Sequence, residues 1–216
     1  MSMTGQEVVD LLQYRLGNRS DLATVALLEM KLAQTKLEGM PTKPWFLEQS
    51  YTTALATVAN QEYIDLPATF LMEKDEGGLW YKDTAITTPD QWVEISKDGY
   101  AVMKAYYKDE VAGKPTKYDF LGSQVFFRPI PDAAYDLRLV GMFQDAVITL
   151  GAANQWLTYA PDTIIAMAGE VLASRHIQDY ALAKEFNKDF TIAYRRMVVD
   201  HESRLHTNRS YSMGDE

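Results

Sequence analysis

The apolar residues of this chain change period twice, and that switch constrains the fold more than any other feature. From Thr4 to Leu37 they recur every three or four positions, the spacing of an amphipathic helix. Thr4 stands as an N-cap with Glu7 three residues on, a capping-box spacing, and Val9, Leu12 and Leu16 follow at helical intervals up to Gly17. Ser20 or Asp21 caps a second helix, in which Val25, Leu28 and Leu32 form one stripe flanked by Ala26, Met30, Ala33 and Leu37. The short link between the two predicts an antiparallel hairpin. Gly39, Pro41 and Pro44 end the run and deliver Trp45, Phe46 and Leu47 in succession. The triplet reads as a core plug where the helices hand over to the next layer, since large aromatics are mostly buried. An exposed docking patch is the alternative.

From Gln49 the period is two. Tyr51–Ala59 reads as a strand, and Tyr63–Leu66 is extended up to Pro67, because a residue before proline avoids the helical region. Met72–Gly78 reads as a solvated hairpin tip leading to Leu79-Trp80-Tyr81. Pro89–Lys108 fits either one helix, with Tyr100, Met103 and Tyr107 on a face, or two short pieces. Pro115–Arg128 is strand-like with a turn at Gly122-Ser123, and Tyr135–Phe143 alternates as a half-buried antiparallel strand with one wet face. After Leu150 the helical period returns: a short piece at Ala152–Leu157, a helix opened by Pro161 with Ile164, Ala168, Val171 and Leu172 inward, and Leu182–Asp200 with Ala183, Phe186, Phe190, Ala193 and Met197 as its stripe. Residues 201–216 lose all period and read as an extended tail. Each outer helix pair carries an apolar stripe that must be covered. The expected class is therefore α+β: a four-helix bundle from residues 1–48 and 149–200, with an antiparallel β-rich module, residues 49–148, inserted between its halves.

Composition narrows the chemistry. The chain has 216 residues, 47% of them hydrophobic, and no cysteine, so disulfides, thiolate metal sites and cysteine nucleophiles are out. No window is apolar enough for a membrane span, and MSMTGQEVVDLL does not read as a signal peptide. The net charge of −9 is concentrated in residues 49–150, which hold 9 basic and 15 acidic side chains. A nucleic-acid grip needs clustered Lys and Arg to replace phosphate counterions, so tight DNA or RNA binding is disfavoured. Eight of the 13 tyrosines fall between positions 49 and 145; they suit both strands and protein interfaces.

No catalytic constellation stands out. His201 and His206 are spaced for different helix faces, short of the convergent ligands a metal needs. His176 and Asp179, with Glu170 two turns back, form the minimum of a general-base couple, yet such pairs are ordinary on helix surfaces. Glu73, Asp75 and Glu76 lack the EF-hand spacing. No GxSxG, HExxH or phosphate loop occurs. The expectation is no catalytic residue, no cofactor and no metal, with a small hydrolase using His176 and Asp179 as the alternative from another class.

Four stretches in fixed order carry a resemblance: AQTKLE with PWFL, LPATFLMEKDEGG, GKPTKYDFLGSQVFFRPIPDAAYDLRL, and NQWLTYAPD. Together, across positions 4–200, they resemble the head-to-tail adaptor (connector) proteins of tailed bacteriophages, ring proteins beneath the portal. The resemblance implies a virion structural protein of the neck, made in the host cytoplasm, that assembles as a ring, usually twelve-fold, on the portal. It implies that the ring extends the DNA channel without binding the genome specifically, and offers a platform to nozzle or tail-tube proteins. It also implies that the C-terminal segment reaches the portal, with Leu205, Tyr211 and Met213 as anchors. An acidic channel wall would then let the genome slide past. Another neck or tail-completion ring is the nearest alternative.

Overall fold

The structure, a computed structural model, describes residues 2–53, 55–73, 77–82, 92–107 and 112–210, with side chains through Arg204. In chain order the helices α1 (Gly5–Arg15) and α2 (Ala23–Glu38) come first. Strands β1 (Glu48–Tyr51), β2 (Tyr63–Asp65), β3 (Phe70–Glu73), β4 (Leu79–Lys82), β5 (Trp92–Glu94) and β6 (Ser96–Lys97) follow. Helix α3 (Tyr100–Tyr106) precedes β7 (Ala112–Gly113), β8 (Lys117–Leu121), β9 (Gln124–Arg128), β10 (Ile130–Pro131) and β11 (Asp136–Phe143). The chain closes with α4 (Gln155–Tyr159), α5 (Pro161–Val171) and α6 (Tyr180–Ser210). The class is α+β. Two compact units divide these elements: a helix unit of residues 1–47 and 144–216, and a β unit of residues 48–143.

In the helix unit, α5 packs on α2 and α6, and α1 packs on α2 and α5. Thr4 and Glu7 form the full capping box at the start of α1. The α5–α6 approach depends on Gly169, where a Cβ would come within 2.4 Å of the Phe186 ring. α2 corrects the sequence reading. Its buried face is Ala26, Met30, Ala33 and Leu37, while Leu28 and Leu32 stand 54% and 44% exposed. The helix is apolar on two sides, so periodicity alone does not say which side the core takes. α6 corrects it again. Residues 201–210 are helical rather than extended, carrying α6 to 31 residues, about 46 Å. No Gly or Pro interrupts that stretch, and Arg204 pairs with Asp200 one turn back at 3.2 Å, so the helix persists without an apolar stripe.

The β unit places an aromatic-rich core between two sheets. One side draws Leu79, Tyr81, Leu137, Leu139 and Phe143; the other draws Ile64, Tyr118, Val125 and Phe127. The first sheet runs β1-β11-β4-β5, and the second β2-β9-β8-β6. A two-stranded pair joins β7 and β10. β11 is the organiser: β1 lies antiparallel to its Leu139–Met142 stretch, while β4 pairs with Asp136–Leu139 and β3 with Gly141–Phe143. Gly141 allows β3 in close, since a Cβ there would lie 2.6 Å from the Met72 carbonyl oxygen. Among the described residues β3 and β4 thus both pair with β11 and not with each other, in place of the expected hairpin, whose tip, residues 74–76, lies outside the described residues. The expected strand over Tyr51–Ala59 is also shorter, because β1 ends at Tyr51 and only single bonds continue, such as Thr57 N–H to the Tyr135 carbonyl at 3.0 Å.

Candidate functional site

The most built-up polar constellation lies in the helix unit, and its central side chains, Gln34, Glu38, Asn154 and Trp156, come from two of the stretches that carry the resemblance. Gln34 and Glu38 sit one turn apart on α2, 3% and 6% exposed. Burial of an amide and a carboxylate is unfavourable unless every group finds a partner. Glu38 Oε1 accepts from Gln34 Nε2 at 2.9 Å, Trp156 Nε1 at 3.0 Å and the Asp145 amide at 3.2 Å. Gln34 Oε1 accepts from the Ile148 amide at 3.1 Å and Asn154 Nδ2 at 3.3 Å. The Asp145 carboxylate accepts from the Gln155 amide at 2.6 Å, and Asn154 caps α4 through the Leu157 amide at 2.9 Å. The Lys43 ammonium donates to the carbonyls of Glu38 and Met40, closing the end of α2. Burial pushes the Lys43 pKa down, and the charge of Glu38 offsets part of that shift. The constellation has no reacting centre. It is a clasp that ties the last turn of α2 to the segment 145–157 and so fixes where the chain leaves the helix unit and where it returns.

The Trp45-Phe46-Leu47 triplet divides its roles. Leu47 and Phe46 are buried, with the Phe46 ring edge-on to Trp156 at 5.1 Å and stacked on Tyr159 at 5.5 Å. Trp45 instead reaches α6: its Nε1 donates to Asp200 Oδ2 at 2.8 Å, and the Arg204 guanidinium lies 3.9 Å over its ring. Two residues of the triplet are a core plug and the third is an anchor for the distal turns of α6. A stretch of sequence cannot reveal that division, because it depends on which residue of α6 arrives opposite.

The other marked residues fall apart in space. The carboxylate facing His176 is that of Glu29, 3.8 Å from Nε2. Asp179 caps α6 by accepting from the Leu182 amide at 3.0 Å, and Glu170 accepts from Asn187 at 3.1 Å. The i,i+3 spacing of His176 and Asp179 presumes an α-helix. Leu172–Ile177 is instead a π-helix, and Gln178 then adopts the left-handed conformation at φ 61°. The recorded partners of the two side chains are Glu29 and the Leu182 amide rather than each other. Leu205 lies on α6, with its side chain outside the described residues, as are Tyr211 and Met213. The LP-x-x-F-L-x-E element of the β unit lines a cavity of about 730 Å³ with Leu66, Pro67, Phe70 and Glu73, opposite Phe120 and Lys97. No group of three or more potential metal ligands occurs among the described residues. No helix among them is long and apolar enough to cross a membrane.

The model of one protein family, described as SU10 adaptor protein, matches residues 3–212, nearly the whole chain. No curated protein matches it. The chain belongs to the SU10 adaptor family, a family of phage head-to-tail adaptors that is structural rather than enzymatic.

Proposed function

We propose, with membership of the SU10 adaptor family as the premise, that this chain assembles as a ring beneath the portal of a tailed phage. The ring extends the DNA channel and provides the docking platform for nozzle or tail-tube proteins. The observation that carries the reading is the family match over residues 3–212. The clasp supports it: Gln34, Glu38, Asn154 and Trp156, the residues by which the chain resembles an adaptor, hold a framework together rather than a reacting centre. On this reading the helices of residues 1–48 and 149–200 act as a four-helix bundle. Residues 49–148 act as an inserted module, and residues 201–216 reach the portal through Leu205, Tyr211 and Met213. The uncovered Leu28 and Leu32 stripe of α2 takes the neighbouring copy, because a helix apolar on both sides needs cover on both. A twelve-fold ring in the virion neck, made in the host cytoplasm, is the assembly we infer. The genome passes through without specific binding. The acidity of residues 49–150 favours such passage, and six of their acidic side chains (Asp75, Glu76, Asp83, Asp90, Asp109 and Glu110) belong to segments outside the described residues. No observation favours a hydrolase, since Asp179 caps a helix and His176 faces Glu29.

The test is to mix the purified chain with portal rings of the same phage and image the product by electron cryomicroscopy. A ring seated on the portal is the expected result, and free chain beside bare portals overturns the reading. Deletion of residues 205–216 is expected to abolish seating. Unchanged seating removes Leu205, Tyr211 and Met213 from the portal contact. Charge introduced by Leu28→Glu with Leu32→Glu is expected to leave the chain folded and block ring closure.

A further inference from the structure

Two arginines of the β unit occupy opposite situations. Arg128 is buried and pairs with Glu62 at 2.6 Å, donating also to the Phe127 carbonyl at 2.9 Å. Arg138 on β11 is half-buried and lies between two indoles, 4.8 Å from the Trp80 centroid and 4.9 Å from that of Trp92. Strand register builds this sandwich. Arg138 sits opposite Trp80 on β4, and Lys82 of the same strand sits opposite Trp92 on β5. The three side chains therefore emerge on the sheet face opposite Leu79, Tyr81, Leu137 and Leu139, which point into the core. Asp136 and Glu94 share that outer face by register, yet neither pairs with the guanidinium. Among the described residues no hydrogen bond or ion pair reaches Arg138, and its Nε is shut off from solvent without a partner. A shielded donor without a partner destabilises the fold that holds it. Arg138 is thus a charged fork held by two indoles, with no hydrogen bond or ion pair engaging it among the described residues.

We propose that the Trp80–Arg138–Trp92 sandwich is a docking site for a carboxylate on a protein partner. The indoles hold the guanidinium flat and leave its Nη groups to grip a carboxylate bidentately. Their edges supply the apolar surround found at interface hot spots, where Trp and Arg are enriched. A protein is favoured over a nucleic acid because residues 49–150 carry 15 acidic against 9 basic side chains: a phosphate backbone meets that repulsion at every nucleotide, a single side-chain carboxylate only once, against the bidentate grip of the guanidinium. The identity of the partner as another neck protein rests on the adaptor reading; the chemistry of the site does not.

Proton–nitrogen correlation spectra of the full chain test it, with the indole signals assigned through Trp80→Phe and Trp92→Phe. The probes are the capped peptide acetyl-Gly-Val-Glu-Val-Gly-amide, its Gln analogue and a short DNA duplex. The Glu peptide is expected to move the Trp80 and Trp92 signals at a concentration about tenfold below that needed by the Gln analogue. Arg138→Gln erases that difference while the Trp45 and Trp156 signals stay in place, and Arg138→Lys restores only part of it. Equal response to both peptides, a difference that survives Arg138→Gln, or a response to the duplex matching that to the Glu peptide overturns the proposal, the last in favour of phosphate. Ring formation on the portal without a peptide response sinks this site alone. A peptide response without ring formation sinks the adaptor reading alone.

Discussion

The helix unit and the β unit hold their most informative polar groups in different ways. In the helix unit Gln34, Glu38, Asn154 and Trp156 bind one another and nearby backbone amides, so the polar groups of the interior act as cement. In the β unit the core is aromatic, and the notable cation, Arg138, lies on a sheet face between two indoles with no hydrogen bond or ion pair among the described residues. The difference teaches where to look for contacts with other molecules. A satisfied network is complete and fixes shape, whereas a cation held between rings without a hydrogen-bond partner is where the proposed contact is sought.

The largest expected effect breaks the helix unit. Glu38→Ala leaves Trp156 Nε1, the Gln34 amide and the Asp145 amide without their shared acceptor, and is expected to destabilise that unit by about 3 kcal/mol or more. Amide exchange read separately in the two units checks it, since a single global transition is not assured for two compact units. Protection lost first in α2 and α4 is the expected pattern; equal loss in β8 and β9 would deny the units their independence. Gly169→Ala follows, at about 1–3 kcal/mol, because the new methyl meets the Phe186 ring that α6 lays against α5. Thermal denaturation with Gly169→Ala alone and with Phe186→Leu added measures it. Recovery in the double variant is expected, and no recovery would place the strain elsewhere. Arg138→Leu sharpens the contrast from the other side. It removes two indole–guanidinium contacts but no hydrogen bond or ion pair among the described residues, so the loss is expected to stay at about 1–2 kcal/mol, below that of Glu38→Ala. A loss comparable to that of Glu38→Ala would show that the sandwich is cement after all.

How much the sequence discloses follows the same divide. α1 is legible because its determinants are local: Thr4, Glu7 and the apolar spacing are all within the helix. The buried face of α2 is not, because two apolar stripes compete and the packing of α1 and α5 decides which is covered. The pairing of β11 is non-local. Its alternation shows in the sequence, with Leu137 and Leu139 inward, but three strands divide its length and no periodicity announces them. The spacing of His176 and Asp179 is uninformative for a different reason, since it presumes an α-helix where the chain winds as a π-helix. The clasp lay in plain view as AQTKLE and NQWL, yet the marker residues only acquire a role when the chain returns after the β unit to place Trp156 on Glu38.

The smallest expected effect tests that same contrast between local and distant control. α1 carries its own cap: Glu7 accepts from the Thr4 amide at 2.7 Å and from the Thr4 hydroxyl at 3.0 Å. α3 in the β unit starts instead on a borrowed one, where Asp119 of β8 accepts from the Tyr100 amide at 2.7 Å. The bonds from Thr4, that from its backbone first, hold the Glu7 pKa below the usual carboxylate value. A carboxylate whose pKa is lower in the folded state leaves the unfolded chain binding more protons in between, so its contribution is present above the unfolded pKa and lost as pH falls through the folded one. The first turn of α1 is therefore expected to fray on acidification, seen as faster exchange of the Glu7 amide after correction for intrinsic rates. In Glu7→Gln that pH step disappears, because the amide cannot titrate. The effect stays local because the group is fully exposed to solvent. Identical pH profiles in the parent and in Glu7→Gln would mean that the box draws nothing from its charge, and that α1 is held by Val8, Val9 and Leu12 in the core alone.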